Sequence, residues 1–125
     1  MAKILVIDDE PQIRNILKEF LQREGYEVDI AENGKVGLKM AGVKFYDLVI
    51  TDVVMPEQDG YEVIMDLVRR SPRCRIIVMS GGAAKLDTQD LLTTAKLMGA
   101  DRALAKPLDF INLTTVVKEV LELNK

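Results

Sequence analysis

The sequence lacks histidine altogether and contains a single cysteine, Cys74. Without histidine, the chain cannot form a Ser-His-Asp catalytic triad, bind a metal through histidine or carry a phosphohistidine. A single cysteine excludes an intrachain disulfide and a metal site built from several cysteines. Any metal site in this chain must therefore use mainly oxygen ligands.

Long apolar runs and an excess of basic residues are also missing. No run approaches the ~20 residues of a membrane-spanning helix, and 17 basic against 20 acidic residues give a net charge of −3. Neither nucleic acid nor a membrane is therefore expected as a partner. The 125 residues, 48% hydrophobic and 30% charged, are typical of one folded domain. We expect residues 1–125 to form a single domain that works in the cytoplasm.

Short apolar runs alternate with helical patterns along the chain. The runs cover residues 4–7, 28–31, 48–50, 76–79 and 103–105. Capping residues mark helix starts at Asp59, Asp87 and Asp109, whereas the pattern after Asn33 is weak and is interrupted by Gly37. Strands that alternate with helices indicate a parallel sheet covered on both faces. The sequence therefore predicts a doubly wound α/β domain with five strands.

Polar side chains close four of the five apolar runs. Asp8 and Asp9 follow the first run, Asp52 the third, Ser80 the fourth and Lys106 the fifth. In a parallel sheet the carboxyl ends of the strands share one edge, where ligands bind. We therefore expect three carboxylates, one hydroxyl and one ammonium to converge there.

Three carboxylates at one edge need cations beside them. Two unit charges 4 Å apart repel by ~4 kcal/mol at an effective dielectric constant near 20. Lys106 supplies one positive charge, and a magnesium-like ion, which prefers oxygen ligands and phosphate, would supply the rest. A carboxylate can itself accept a phosphoryl group, and Ser80 could donate a hydrogen bond to that group.

Each of these residues alone also has an ordinary explanation. Asp8 and Asp9 could be solvated or could cap a helix that starts at Pro11, and Asp52 could simply end a strand. A lone serine before two glycines is common turn chemistry, and most lysines are solvated. The prediction of a site depends on their joint occurrence at the same end of the appropriate strands.

The complete set of motifs resembles the receiver domain of bacterial two-component response regulators. The motifs are Asp8-Asp9-Glu10-Pro11, Asp52-Val53-Val54-Met55-Pro56, Asp59-Gly60, Met79-Ser80-Gly81, Gly99-Ala100-Asp101 and Lys106-Pro107. The resemblance covers essentially the whole chain and implies a flavodoxin-like sheet with strand order 2-1-3-4-5.

The resemblance also implies a role for each acidic residue. Asp52 resembles the phosphoacceptor. Asp9 resembles a direct ligand of Mg²⁺ (or Mn²⁺), Asp8 a ligand that acts largely through water, and the backbone carbonyl of Val54 a further ligand. The expected activity is confined to the domain's own phosphorylation and slow autodephosphorylation, so the domain is not predicted to be an enzyme.

Ser80 resembles the switch hydroxyl and Lys106 the lysine that pairs with the phosphate. The Lys106–Pro107 bond resembles one that is often cis in this family. The implied phosphodonor is a phosphohistidine on a sensor histidine kinase or a histidine phosphotransfer protein. The output would go to a downstream protein target, whether the domain stands alone or belongs to a longer regulator.

One departure from the family pattern and one further feature carry additional predictions. Ala103 occupies a position that is usually aromatic, so we expect the readout to involve the helix predicted from Asp87 without an aromatic rotamer change. Val54 and Gly82 offer no polar side chain that could orient an attacking water. We therefore expect slow hydrolysis of the phosphoaspartate.

Two other functions fit parts of the pattern. A magnesium-dependent phosphatase with an aspartyl nucleophile would usually carry a second aspartate at the position of Val54. A flavodoxin-like domain would need a cradle rich in Ser, Thr or Gly after the first strand, where Asp8, Asp9 and Glu10 would repel a cofactor phosphate. Both alternatives are therefore disfavoured.

Overall fold

The chain forms five strands and four described helices in alternating order. The computed structural model describes residues 1–52, 60–80, 93 and 96–123. The elements are β1 (Lys3–Ile7), α1 (Pro11–Arg23), β2 (Glu27–Ala31), α2 (Gly34–Val43), β3 (Leu48–Asp52), α3 (Gly60–Arg70), β4 (Arg75–Ser80), β5 (Arg102–Ala105) and α4 (Phe110–Leu121). Within these ranges, no helix has the length and apolar character needed to cross a bilayer.

The five strands form one parallel sheet in the order β2-β1-β3-β4-β5. This arrangement confirms the predicted fold class and strand order. Asp52, the last residue of β3, lies opposite Met79, and Ser80, the last residue of β4, lies opposite Ala105. The register therefore brings the polar ends of the strands to one edge.

Two apolar cores cover the two faces of the sheet. Because side chains alternate along a strand, Leu5 and Ile7 of β1 enter one core, whereas Ile4 and Val6 enter the other. The first core includes residues of α2 and α3, and the second includes residues of α1 and α4. Burial on both faces explains the nearly continuous apolar runs of the central strands.

Side-chain caps start two of the helices. Asn33 Oδ1 accepts a hydrogen bond from the Val36 amide at 2.9 Å, and Asp109 Oδ1 accepts from the Ile111 and Asn112 amides. The Asp109 cap confirms its prediction. The predicted caps at Asp59 and Asp87 lie outside the described residues, as does most of the helix expected after Asp87.

Gly37 permits close contact between α2 and β1, which explains the interrupted apolar pattern of this helix. A Cβ atom at Gly37 would lie 2.8 Å from Ile7 Cγ1 and closer still to Ile7 Cδ1. Ile7 is completely buried and has little room to move. Gly42, in the same helix, would place its Cβ with no described heavy atom within 4 Å.

This contrast yields a matched pair of variants. Gly37→Ala should lower the free energy of unfolding by about 1–3 kcal/mol because it overpacks the core. Gly42→Ala should raise it by about 0.5–1 kcal/mol because alanine favours the helix. Urea denaturation of both variants measures the difference, and equal effects would contradict the close approach of α2 and β1.

Candidate functional site

The carboxyl ends of β1 and β3 carry two buried carboxylates. Asp8 directly follows β1 and its side chain is fully buried, while Asp52 ends β3 with a side chain 6% exposed. Backbone hydrogen bonds fix the edge, because the Asp8 amide donates to the Ala31 carbonyl at 3.2 Å. Two carboxylates buried at neighbouring strand ends require a positive charge beside them.

Lys106 provides that charge. Its Nζ lies 2.7 Å from Asp8 Oδ2 and 3.0 Å from Asp52 Oδ2, and its side chain is only 10% exposed. The Lys106 amide donates to the Ser80 carbonyl at 2.8 Å, so the residue continues from β5 beside the end of β4. The Lys106–Pro107 peptide bond is cis, as the resemblance implies.

The surroundings of Lys106 keep its ammonium protonated. Burial alone would lower the pKa of Lys106, but hydrogen bonds and charge interactions with Asp8 and Asp52 outweigh burial and raise it. The charged form is therefore maintained throughout the physiological pH range. A permanent cation beside the two carboxylates can stabilise negative charge that develops there.

The acidic residues form a group with the chemistry of a divalent metal site. Asp8, Asp9, Glu10 and Asp52 each offer a carboxylate oxygen, and these oxygens all lie within 4.8 Å of one another. Asp9 and Glu10 are exposed, whereas Asp8 and Asp52 are buried. An all-oxygen donor set open to solvent on one side fits Mg²⁺, which usually keeps several waters. Val54 lies outside the described residues.

Ser80 lies at the same edge of the sheet. It is the last residue of β4 and is buried, and its carbonyl accepts the hydrogen bond from Lys106. Its hydroxyl role stays a prediction. Ala103 lies in the middle of β5 opposite Val78 and packs against the core that includes α3. The helix expected after Asp87, and with it the predicted readout, lies mostly outside the described residues.

Two residues near the site were missed by the sequence reasoning. The Glu10 carboxylate lies 3.3 Å from Lys106 Nζ, and Arg14 Nη1 donates to the Asp8 carbonyl at 2.7 Å. Glu10 was visible in the sequence as a third consecutive acidic residue. Arg14 carried no such signal, because one arginine on an amphipathic helix is ordinarily solvated.

The sequence also matches a known family along most of its length. Residues 4–118 match the family model of the response regulator receiver domain. The chain belongs to this family. This assignment favours the receiver interpretation over the phosphatase and flavin-binding alternatives.

Two curated relatives show how the receiver compares with longer proteins. It is 35% identical to the transcriptional regulatory protein PcoR of Escherichia coli over 97% of its own length and 52% of that relative. It is 38% identical to the DNA-binding transcriptional regulator NtrC of Azospirillum brasilense over 98% of its own length and 25% of that relative. The chain thus spans about half or less of these relatives.

Solved structures share the same fold. The response regulator TrrA of Thermotoga maritima, solved in complex with Mg²⁺-BeF, is 38% identical with a TM-score of 0.82, and the match covers 96% of the receiver and 99% of TrrA. A response regulator receiver domain from Clostridium thermocellum is 30% identical with a TM-score of 0.86, over 97% and 94% of the two chains.

Proposed function

We propose that this receiver accepts a phosphoryl group on Asp52 from the phosphohistidine of a sensor histidine kinase or a histidine phosphotransfer protein. The observation that carries the proposal is the Lys106 ammonium held between Asp52 and Asp8 at the edge of the sheet. Phosphorylation would then change the contacts that the domain makes with a downstream protein target.

The transfer needs one bond to form and one to break. A carboxylate oxygen of Asp52 attacks the phosphorus, the phosphorus–nitrogen bond breaks, and its electron pair returns to the imidazole of the donor. The Lys106 ammonium lies 3.0 Å from the Asp52 carboxylate. It can therefore exchange its hydrogen bond to Asp52 for one to an oxygen of the incoming phosphoryl group. The Ser80 hydroxyl is proposed to donate to another phosphoryl oxygen.

The acidic group is proposed to hold Mg²⁺, for which Mn²⁺ could substitute. Asp8, Asp9 and Asp52 would supply carboxylate oxygens, and Val54 a backbone carbonyl. A bound divalent ion supplies positive charge that offsets the carboxylates and the phosphoryl oxygens. Asp8 accepts from the Glu10 amide and from Lys106 through its two oxygens, which favours a role through water over direct ligation.

The domain is proposed to catalyse its own phosphorylation and its own slow dephosphorylation. The nonpolar residues Val54 and Gly82, both outside the described residues, support slow hydrolysis because neither can orient water through its side chain. Residues 1–125 are proposed to form one receiver unit that functions in the cytoplasm.

Phosphorylation by a small donor tests this function. Incubation with acetyl phosphate and Mg²⁺ should add the mass of one phosphoryl group to the intact protein. Removal of divalent ions by EDTA should reduce the rate of addition at least tenfold, because the site would lose the cation that offsets its charge. Equal labelling with EDTA would overturn the proposed metal requirement, and no labelling under either condition would overturn phosphoacceptor activity.

A further inference from the structure

Within the part of the chain that the structure describes, the Lys106 ammonium has three carboxylate partners that differ greatly in exposure. Its Nζ lies 2.7 Å from Asp8, 3.0 Å from Asp52 and 3.3 Å from Glu10. The Asp8 and Asp52 side chains are 0% and 6% exposed, whereas the Glu10 side chain is 59% exposed. Glu10 therefore contacts the lysine from the solvent side.

The backbone around Glu10 fixes its position at the site. The Glu10 amide donates to Asp8 Oδ1 at 2.9 Å, and its carbonyl accepts from the Arg14 amide at 3.1 Å. Glu10 is the N-cap of α1, yet within the described part of the chain its side chain makes no capping hydrogen bond. Its carboxylate contacts Lys106 instead of the helix amides.

A count of formal charges shows what Glu10 contributes. Among the described residues, four carboxylates, one ammonium and the guanidinium of Arg14 give the site a formal charge of −2. A divalent cation would make this total neutral. Without the Glu10 charge, the metal-loaded site would be net positive, and anions would approach it more readily.

We propose that Glu10 determines donor specificity by opposing the approach of small anionic phosphodonors from solvent. The inference rests on the proposed phosphoacceptor function of Asp52. Glu10 neither attacks nor leaves in the reaction, and its effect is electrostatic. A phosphohistidine on a docked protein depends less on this charge, because protein contacts bring it to the site.

Glu10→Gln removes the negative charge of this side chain. It keeps the size of the side chain and an oxygen that can accept a hydrogen bond from Lys106. With saturating Mg²⁺ at low ionic strength, kcat/KM for the dianion acetyl phosphate should rise roughly tenfold, and that for phosphoramidate, which carries less net negative charge, roughly threefold. The gain should lie in KM rather than kcat, and it should shrink as salt screens the charge.

Two variants separate this effect from other changes. Glu19→Gln removes an equal charge from the exposed face of α1, where Glu19 pairs with Arg23, and should leave both rates unchanged. Glu10→Asp keeps the charge at this position, so its kcat/KM should stay closer to that of the original protein than the kcat/KM of Glu10→Gln does. Magnesium affinity is measured separately by amide-shift titration without a donor, so that saturation is verified for each variant.

Three results would overturn the specificity role of Glu10. These are an unchanged or lower kcat/KM in Glu10→Gln, equal gains for the two donors, and the same gain in Glu19→Gln. Failure of the proposed function has a different signature, because either the original protein would not be labelled or Asp52→Asn would still be labelled, whatever residue stands at position 10.

Discussion

Asp52→Asn is expected to abolish phosphoryl uptake while the protein stays folded. An amide oxygen is a poor nucleophile and cannot form the acyl phosphate, so labelling by acetyl phosphate and Mg²⁺ should fall at least a hundredfold. Intact mass after a fixed incubation measures the loss. The neighbouring Asp8 should not replace Asp52, because its side chain is completely buried whereas that of Asp52 is 6% exposed.

Asp52→Asn should also stabilise the metal-free protein. Asp8, Asp9, Glu10 and Asp52 lie within one small group, and neutralisation of one member relieves repulsion while Lys106 keeps two partners. We expect the free energy of unfolding to rise by roughly 1 kcal/mol. Urea denaturation in EDTA measures this change.

The matched control is Asp66→Asn on α3. Asp66 is an aspartate outside the site that pairs with Arg69 and Arg70, so its variant should label normally and change stability by less than about 1 kcal/mol. Normal labelling of Asp52→Asn would contradict the proposed phosphoacceptor. A strongly destabilised Asp52→Asn would contradict the account of charge repulsion.

Lys106→Met is expected to have the opposite effect on stability. Removal of the ammonium leaves the buried carboxylates of Asp8 and Asp52 without their shared cation, which should cost about 3 kcal/mol in the absence of metal. Mg²⁺ should restore part of the loss, because it would offset the same carboxylates. Phosphorylation should slow by about a hundredfold, since one donor to the phosphoryl oxygens is lost.

The stability that Lys106 contributes should follow the titration of its own ammonium. The folded state raises the pKa of Lys106 above its unfolded value, so its contribution is complete below the unfolded pKa of about 10.4 and disappears as pH rises through the folded pKa. The difference between Lys106→Met and the original protein should therefore stay constant between about pH 6 and about pH 9 and should shrink as pH rises above about 10.4.

Lys39→Met, an exposed lysine on α2, provides the control and should leave both stability and labelling close to those of the original protein. A Lys106→Met protein as stable as the original in EDTA would show that the bridge between Asp8 and Asp52 contributes little to the fold.

The sheet was largely predictable because its central strands are buried on both faces. Apolar side chains mark such strands directly, so residues 4–7 and 76–79 predicted most of β1 and β4. The ends of these strands were less evident from the sequence. Lys3 and Ser80 join their strands through backbone hydrogen bonds, which do not depend on side-chain polarity. Strand order came from the family resemblance, since alternation of strands and helices alone permits several orders.

The candidate site was predictable where a charged side chain lies at or directly after the end of a strand. Asp8, Asp52 and Lys106 lie in contact because parallel strands end at one edge. Glu10 and Arg14 required coordinates, since their contacts depend on how the first turn of α1 begins. The packing role of Gly37 could not be predicted either, because the sequence pattern of one helix does not show how closely a distant strand approaches it.

The most direct test of the phosphoacceptor assignment is to locate the phosphoryl group in the original protein. Borohydride reduces an aspartyl phosphate to homoserine, and peptide mass mapping then identifies the modified position. After labelling with acetyl phosphate and Mg²⁺, we expect homoserine at position 52. Homoserine at position 8 or 9, with position 52 unmodified, would contradict it.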